Sequence, residues 1–411
     1  MRKVTFFATV AILAPSLTIN EYWIGIPGAG FVQKTFLLIA ALGLIFIFGA
    51  KKTGLTPLIS FSLISVFSFA ASAFSGSEPN LPLFATSFAG MSIGLFFYAA
   101  NIPIRYAIDI YKSITLLPFA ALIIAALLYP VTSKAIWADE YTGAIRLAGL
   151  LPPAHLAMLC VASLMIQSIA ISHGRLNKPL LATTFLILLG TGTRGAFIAG
   201  AICMLPHIKL PKSRGALITS AALILGSIPF IYAGLSNLAN RSVTSSSTEE
   251  LNMSGRSVAW TFFLEKVEIS PLFGQGLGAV TNLTKDETYS NLSFFVVPHN
   301  EYIRFLVDFG IVGTAAVILG LILWFFRITS KLHPTQKKTL RAIFFSLAIY
   351  SFIDNTFSTP QFTVLFLLIL KHIDLIQPAG VFSNGKQKKI RLQEPKAPTN
   401  SAISHLHMSK L

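Results

Sequence analysis

Long apolar runs separated by short polar segments dominate this chain. They fall at about 4–20, 35–50, 55–74, 81–100, 113–133, 151–171, 180–192, 195–207, 215–234, 303–326, 342–357 and 361–376. Most of them approach the roughly 20 residues that a helix needs to cross a hydrocarbon core about 30 Å thick. The pattern therefore predicts an all-α polytopic membrane protein with about 12 transmembrane helices.

The run from 180 to 207 indicates two short helices rather than one span. Basic residues flank both ends, with Lys178 at the start and Lys209 at the end, and basic loops of membrane proteins usually lie in the cytoplasm. Both ends reach the same side only if the chain turns back at 191–195, which reads Thr-Gly-Thr-Arg-Gly. Each helix then reaches only about 20 Å, so we expect the turn to hold Arg194 in a recess below the outer surface.

The distribution of charge supports this topology with both termini in the cytoplasm. It places 23 basic and 3 acidic residues on the cytoplasmic side and 9 basic and 13 acidic residues on the outer side. The net charge of +16 therefore marks the cytoplasmic loops and gives no reason to expect a nucleic-acid partner. Hydrophobic residues make up 54% of the chain and charged residues only 12%, which excludes a soluble globular protein.

The same pattern divides the chain into four parts. Residues 1–234 hold predicted transmembrane helices 1–9, including the short-helix hairpin at 180–207. Residues 235–302 form a long outer loop, and residues 303–376 hold predicted transmembrane helices 10–12. Residues 377–411 are basic and rich in Asn, Gln, Pro and Ser, so we expect a disordered cytoplasmic tail near the lipid head groups.

The outer loop contains a predicted amphipathic helix that runs from Arg256 to about residue 269. Its apolar side chains Val258, Phe262 and Phe263 are expected to lie on the membrane surface, and its glutamates are expected to face water. The loop is much longer than a connection between two spans requires, and long loops of this kind usually carry function.

Only one of the eight histidines, His299, is presented at the outer surface in this topology. It lies in 298–301, which reads Pro-His-Asn-Glu, where the outer loop leads into helix 10. As a structural residue it would be a solvated side chain at the start of a helix. As a functional residue it would be a general base, because an imidazole exchanges its proton near neutral pH.

Five of the nine basic residues on the outer side are arginines: Arg146, Arg194, Arg241, Arg256 and Arg304. A guanidinium group binds phosphate through two parallel hydrogen bonds and stays charged at all relevant pH values. An ionisable group at membrane depth is costly and is a functional candidate. This favours a functional Arg194 over a side chain that merely reaches back to the interface, whereas a solvated helix start explains Arg256 equally well.

The other three arginines have simpler explanations. Surface charge accounts for Arg146 and Arg241, and an intrahelical pair with Asp308 accounts for Arg304. Several arginines around one histidine nevertheless suit a lipid-linked pyrophosphate, whose tail would stay in the bilayer. The sequence contains no zinc-binding motif, phosphate-binding glycine loop or dinucleotide fingerprint, and no clustered acidic motif argues for a divalent ion.

Five short motifs follow one another along the chain. They are Thr-Gly-Thr-Arg-Gly at 191–195, Gly-Arg at 255–256, Ser-Pro-Leu-Phe-Gly-Gln-Gly at 270–276, Pro-His-Asn-Glu-Tyr at 298–302 and Gly-Ile-Val-Gly at 310–313. Over roughly 180–315 this order resembles the O-antigen ligase and polymerase family of bacterial inner-membrane glycan transferases. The resemblance implies a multi-pass inner-membrane enzyme with a large periplasmic loop and an active site that faces the periplasm. It also implies a donor glycan linked to undecaprenyl pyrophosphate, and neither a metal ion nor another cofactor.

The resemblance further implies roles for individual residues. His299 corresponds to the catalytic histidine that activates the acceptor hydroxyl, and Arg194 and Arg256 correspond to the arginines that hold the pyrophosphate. Arg146 and Arg241 are further candidates for pyrophosphate binding, although the Pro-Pro-Ala that follows Arg146 departs from the family pattern.

Three neighbours of the histidine, Asn300, Glu301 and Arg304, are expected to support the site. Either Glu301 or another outer carboxylate is expected to orient the imidazole. The reaction expected from this arrangement is an in-line displacement at the anomeric carbon, which inverts its configuration.

The sequence leaves the acceptor open. A ligase in lipopolysaccharide biosynthesis would transfer the glycan to lipid A–core, whereas an O-antigen or exopolysaccharide polymerase would use a lipid-linked repeat as the acceptor. A protein O-glycosyltransferase is a further enzymatic alternative. A transporter of lipid-linked glycans is disfavoured, because Asp and Glu are almost absent from the predicted spans. Membrane lipids are expected partners in every case.

Overall fold

The computed structural model describes residues 29–73, 80–103, 106–132, 136–139, 145–208, 256–284, 297–330 and 332–371. The predicted spans at 4–20 and 215–234, Arg241, and the predicted tail at 377–411 lie outside these residues. The described residues all belong to one compact unit.

The described part of the chain is mostly helical, with little strand. Six of its helices are long and apolar enough to cross a membrane: α1 (Ala29–Phe48), α2 (Lys52–Ser72), α3 (Leu81–Ala99), α4 (Ala107–Thr132), α5 (Pro153–Ser172) and α10 (Glu301–Thr329). The other elements, numbered in chain order, are β1 (Trp137–Asp139), β2 (Ile145–Leu147), α6 (Lys178–Gly190), α7 (Arg194–Met204), α8 (Arg256–Val267), α9 (Ala279–Leu283), α11 (Pro334–Ile353) and α12 (Pro360–Lys371). This agrees with the predicted all-α membrane class. The number of transmembrane helices, about 12, and the position of both termini stay predictions.

The segment predicted as a hairpin of two short helices forms α6 and α7. Asn177 precedes α6, and its side-chain oxygen accepts a hydrogen bond from the Leu180 N–H at 3.1 Å. Helices of 13 and 11 residues reach only about 20 and 17 Å. The chain turns between them at Gly192, whose φ of +60° lies in the left-handed region that glycine adopts without strain.

The helix α5 forms the core of the bundle. Of its apolar span 78% is buried, against at most 33% in the other five candidate spans. Polar side chains join it to its neighbours: the Ser163 hydroxyl donates to the Thr115 carbonyl of α4 at 2.9 Å, and the Ser168 hydroxyl donates to the Cys203 carbonyl of α7 at 2.7 Å. Such hydrogen bonds hold helices together where lipid removes the hydrophobic drive for their association.

The helix α10 is kinked at Gly310, whose φ of +64° interrupts the helical hydrogen bonds. The loop after α8 supplies new partners for the released backbone groups. The Ile311 N–H donates to the Pro271 carbonyl at 2.8 Å, and the Gln275 N–H donates to the Val307 carbonyl at 2.8 Å. The motif at 270–276 therefore docks the outer loop onto α10 through its backbone.

The amphipathic helix predicted in the outer loop corresponds to α8, but two of its apolar side chains pack against protein and not against the membrane surface. Phe262 and Phe263 are 7% and 0% exposed and pack against Ile303 and Val307 in the first turns of α10. They were expected on the membrane surface. The two phenylalanines bury their rings against protein because α10 presents an apolar stripe there. Val258 is exposed.

Candidate active site

The segment before α10 holds His299 in an uncommon backbone conformation with a φ of +48°. Within the described residues no other non-glycine residue has a positive φ. Such conformations persist where the surrounding contacts impose them, and they cluster at functional sites. The Trp260 indole N–H donates to the Pro298 carbonyl at 2.7 Å. On the other side, the Asn300 side-chain oxygen caps α10 by accepting from the Tyr302 N–H at 2.9 Å. Both chain neighbours of the imidazole are therefore fixed.

The carboxylate beside the imidazole belongs to Asp354, the residue that follows α11. Its Oδ1 atom lies 3.3 Å from the Nδ1 atom of His299, and the side-chain amide of Asn355 lies 3.4 Å from the same nitrogen. The imidazole side chain is 26% exposed and the carboxylate only 7%. No motif in the sequence distinguishes Asp354 from the other carboxylates that could orient the imidazole. The available signal was an acidic residue followed by Asn at the outer end of an apolar run.

The charges around Asp354 keep it ionised. Burial raises the pKa of this carboxyl, whereas the hydrogen bond and the charge of His299 lower it. The Asn355 N–H donates to Oδ1 at 2.8 Å, and this bond and the Arg256 guanidinium also lower the pKa. The net result is a pKa below the ordinary value, so the group is a carboxylate at neutral pH. A carboxylate against Nδ1 orients an imidazole and stabilises its protonated form.

The other expected carboxylate, Glu301, has a different partner. Its Oε1 atom accepts hydrogen bonds from the Ser358 N–H at 2.7 Å and from the Ser358 hydroxyl at 2.8 Å. Glu301 is fully buried. It therefore connects the start of α10 to the loop between α11 and α12. This loop also carries Asp354, so Glu301 helps to position the carboxylate beside His299.

Arg304 interacts electrostatically with the expected partner Asp308 and also forms an ion pair with Glu301. The Arg304 Nε atom lies 3.8 Å from the Glu301 Oε2 atom, one turn earlier in α10. The Asp308 carboxylate accepts a hydrogen bond from the Val280 N–H of α9 at 3.2 Å. Asp308 therefore has a backbone donor in addition to the charge of Arg304.

Arg146 is buried, contrary to the expectation of a surface charge. It is 7% exposed and lies on β2. Its Nε atom donates to the Thr191 carbonyl at 2.5 Å, and its Nη2 atom donates to the Thr193 hydroxyl at 2.7 Å. Arg146 therefore clamps the turn that leads directly into Arg194.

That turn packs against the end of α11. A Cβ atom built on Gly195 would lie 2.7 Å from the Ile353 Cγ2 atom, so a glycine is needed for this close approach. Further along α7, the Ala199 carbonyl accepts a hydrogen bond from the Ser346 hydroxyl of α11 at 2.7 Å. Arg194, which is exposed, therefore starts its helix beside the residue that precedes Asp354.

Further ionisable groups converge on the same region. Arg256, partly buried at the start of α8, acts electrostatically on the Asp354 carboxylate. The charges of Asp354, Arg256 and Arg146 all reach the buried hydroxyl of Tyr350. His155 on α5, which sequence analysis placed inside a span, is within electrostatic reach of both Asp354 and His299. The structure thus brings together four predicted site residues, His299, Arg146, Arg194 and Arg256, around Asp354, which the sequence allows only as one of several carboxylates.

Comparison with known proteins gives one family. Residues 179–318 match the family model described as O-antigen ligase. The matched segment contains Arg194, Arg256 and His299, whereas Arg146 and Asp354 lie outside it. No curated protein sequence matches the chain.

Proposed function

We propose, from the match of residues 179–318 to the O-antigen ligase family model, that the protein transfers a glycan from undecaprenyl pyrophosphate to a hydroxyl of lipid A–core. The active site would face the periplasm from the inner membrane. The observation that carries the proposal is the contact between His299 and Asp354 beside Arg146, Arg194 and Arg256. A base held by a carboxylate, next to several phosphate-binding groups, suits transfer from a pyrophosphate donor.

The proposed reaction uses His299 as the general base. Its Nδ1–H donates to the Asp354 carboxylate, so the Nε2 lone pair accepts the proton of the acceptor hydroxyl. The hydroxyl oxygen attacks the anomeric carbon of the donor while the bond from this carbon to the pyrophosphate oxygen breaks. The bonding electrons leave with undecaprenyl pyrophosphate, and in-line attack inverts the anomeric centre.

The arginines would stabilise the leaving group. Negative charge grows on the bridging oxygen as the bond breaks, and preorganised positive groups at that point supply a large part of catalysis in such sites. Arg194 and Arg256 are proposed to contact the pyrophosphate. Arg146 is proposed to act through the turn that it clamps, because two of its nitrogens already bond to Thr191 and Thr193. Arg241, outside the described residues, stays a candidate from its sequence position.

A strain that lacks the protein distinguishes the proposed ligase from a polymerase. The ligase predicts accumulation of full-length lipid-linked polymer together with lipid A–core that carries no O-antigen. A polymerase instead predicts single repeats on lipid A–core, which would contradict the proposed acceptor. Complementation with the wild-type gene and with His299→Ala controls for indirect effects: the first should restore the polymer on lipid A–core and the second should not.

A further inference from the structure

A cavity of about 250 Å³ lies on the other side of the loop between α11 and α12. Lys34 of α1 and Arg304 of α10 line it, together with the polar side chains of Ser87, Asn355, Ser358 and Thr359. A water molecule occupies about 30 Å³ of liquid, so the cavity has room for a phosphate or carboxylate group and part of a sugar ring. Lys34 and Arg304 supply the positive charge that suits this cavity to an anion. The Ser358 and Thr359 hydroxyls already donate to Glu301 and to the Asn355 carbonyl.

Arg304 keeps one buried donor without a hydrogen bond, although Glu301 and Asp308 balance its charge. The residue is 6% exposed, and its Nε atom has no hydrogen-bond partner among the described residues. The nearest carboxylate oxygen, Glu301 Oε2, lies 3.8 Å away, too far for a hydrogen bond. The other Glu301 oxygen already accepts two bonds from Ser358. A buried donor without a partner is costly, and an anion in the cavity would supply one.

The cavity adjoins the proposed base but not the arginine cluster. Asn355 lines the cavity, and its side-chain amide lies 3.4 Å from the Nδ1 atom of His299. Neither Arg146, Arg194 nor Arg256 contributes to its lining. Asn355 therefore connects the imidazole to a second group of cations, Lys34 and Arg304, that is separate from the arginine cluster. Two separate groups of cations suit a transfer between two anionic substrates, because each group can bind one of them.

We propose that this cavity binds an anionic group, a phosphate or a carboxylate, on the acceptor glycan. The bound anion would orient the acceptor so that the attacking hydroxyl reaches His299. The assignment of the anion to the acceptor rests on the proposed function. The existence of an anion site does not depend on that function. The alternative source of the same chemistry is the pyrophosphate of the donor.

Two measurements on the full-length protein in lipid nanodiscs test the proposal. The first titrates inorganic phosphate and follows the midpoint of thermal unfolding for wild type, Lys34→Gln, Arg304→Gln and Arg256→Gln. The second measures KM for donor and for acceptor in glycan transfer. A charge-assisted hydrogen bond is commonly worth a factor of about ten or more in affinity. Lys34→Gln should therefore weaken phosphate binding and raise the acceptor KM at least tenfold, with the donor KM unchanged, and Lys34→Arg should recover most of the loss.

The matched control is Lys266→Gln, which removes a lysine of α8 that lies over the Phe262 ring and does not line the cavity. It should leave both KM values and the phosphate titration at wild-type levels. A rise in the donor KM for Lys34→Gln would assign the cavity to the pyrophosphate and overturn the proposal. Unchanged phosphate titration in both Lys34→Gln and Arg304→Gln would remove the anion site altogether. Absence of transfer by the wild type would overturn the proposed function and the acceptor assignment, while the phosphate titration would still decide the anion site.

Discussion

The carboxylate of Asp354 lies 3.3 Å from the Nδ1 atom of His299, although 55 positions separate the two residues in the sequence. The histidine stands at the start of α10 and the aspartate at the end of α11, so the packing of these two helices creates the pair. A carboxylate in this place fixes the tautomer of the imidazole and stabilises the imidazolium that forms when a proton is taken up. Asp354 is therefore a positioning residue in the proposed reaction.

Asp354→Asn should lower kcat by about 10²–10⁴-fold, because the loss of the charge removes most of the benefit of general-base catalysis. The donor KM should remain near wild type, since the aspartate does not contact the pyrophosphate in the proposed site. Asp354→Glu should recover part of the rate, which a purely structural role would not require. The control is Glu265→Gln on the exposed face of α8. Equal losses in Asp354→Asn and Asp354→Glu, both with normal folding, would contradict the positioning role.

Arg194→Lys should reduce glycan transfer strongly even though it keeps the positive charge. Lysine lacks the planar fork that holds two phosphate oxygens at once. The measurement is transfer in membranes that contain the lipid-linked donor, with the level of each variant checked by blot. Arg175→Lys, at an exposed position between α5 and α6, is the matched control and should be neutral. Wild-type activity of Arg194→Lys would contradict the proposed contact between Arg194 and the pyrophosphate.

Arg146→Ala should destabilise the protein as well as slow the reaction. The substitution leaves the buried Thr191 carbonyl with only the Thr193 hydroxyl, 3.5 Å away, as a side-chain donor. Loss of a hydrogen bond from a charged donor costs about 1.5–3 kcal/mol. The midpoint of thermal unfolding in detergent should fall relative to wild type, whereas Arg175→Ala should leave it unchanged. An unaltered midpoint together with a large rise in the donor KM would instead indicate that Arg146 contacts the pyrophosphate directly.

Gly310→Ala should prevent the docking of the outer loop on α10. The position has a φ of +64°, and a Cβ atom there would lie 2.5 Å from the Leu272 carbonyl oxygen, closer than any tolerated contact. Gly320→Ala in the same helix is the control, because a Cβ atom there meets nothing within 4 Å. We expect low protein levels or a lowered unfolding midpoint for Gly310→Ala alone. Similar behaviour of the two variants would contradict the close backbone packing.

The sequence predicts those features that depend on local patterns. The α6–α7 hairpin follows from basic flanks and a glycine-rich turn, and His299 follows from a short motif at the start of a helix. The environment of Phe262 and Phe263 could not be predicted, because an amphipathic pattern identifies an apolar face but not whether lipid or protein covers it. The same limit applies to Asp354 as the carboxylate partner of His299, because this pair depends on contacts between segments far apart in the chain.

The partners of the arginines also could not be predicted from the sequence. Charge and topology predict that Arg146 lies on the outer side. Its burial depends on the pairing of β1 with β2, which positions Arg146 to bind the Thr191 carbonyl between α6 and α7. Arg304 was assigned to Asp308 from spacing alone, and spacing allows Glu301 equally well. The structure gives Arg304 both carboxylates as partners, and no sequence pattern reports the Val280 N–H that also binds Asp308.

The most direct test of the account is glycan transfer by His299→Ala in proteoliposomes that contain a labelled lipid-linked donor and lipid A–core. Donor binding is measured in parallel on the same preparation. We predict that transfer falls by about 10²–10⁴-fold, as expected for loss of a general base, while donor binding stays near wild type because the arginines remain in place. Transfer close to the wild-type rate across the pH range would contradict the account, since His299 would then only start α10.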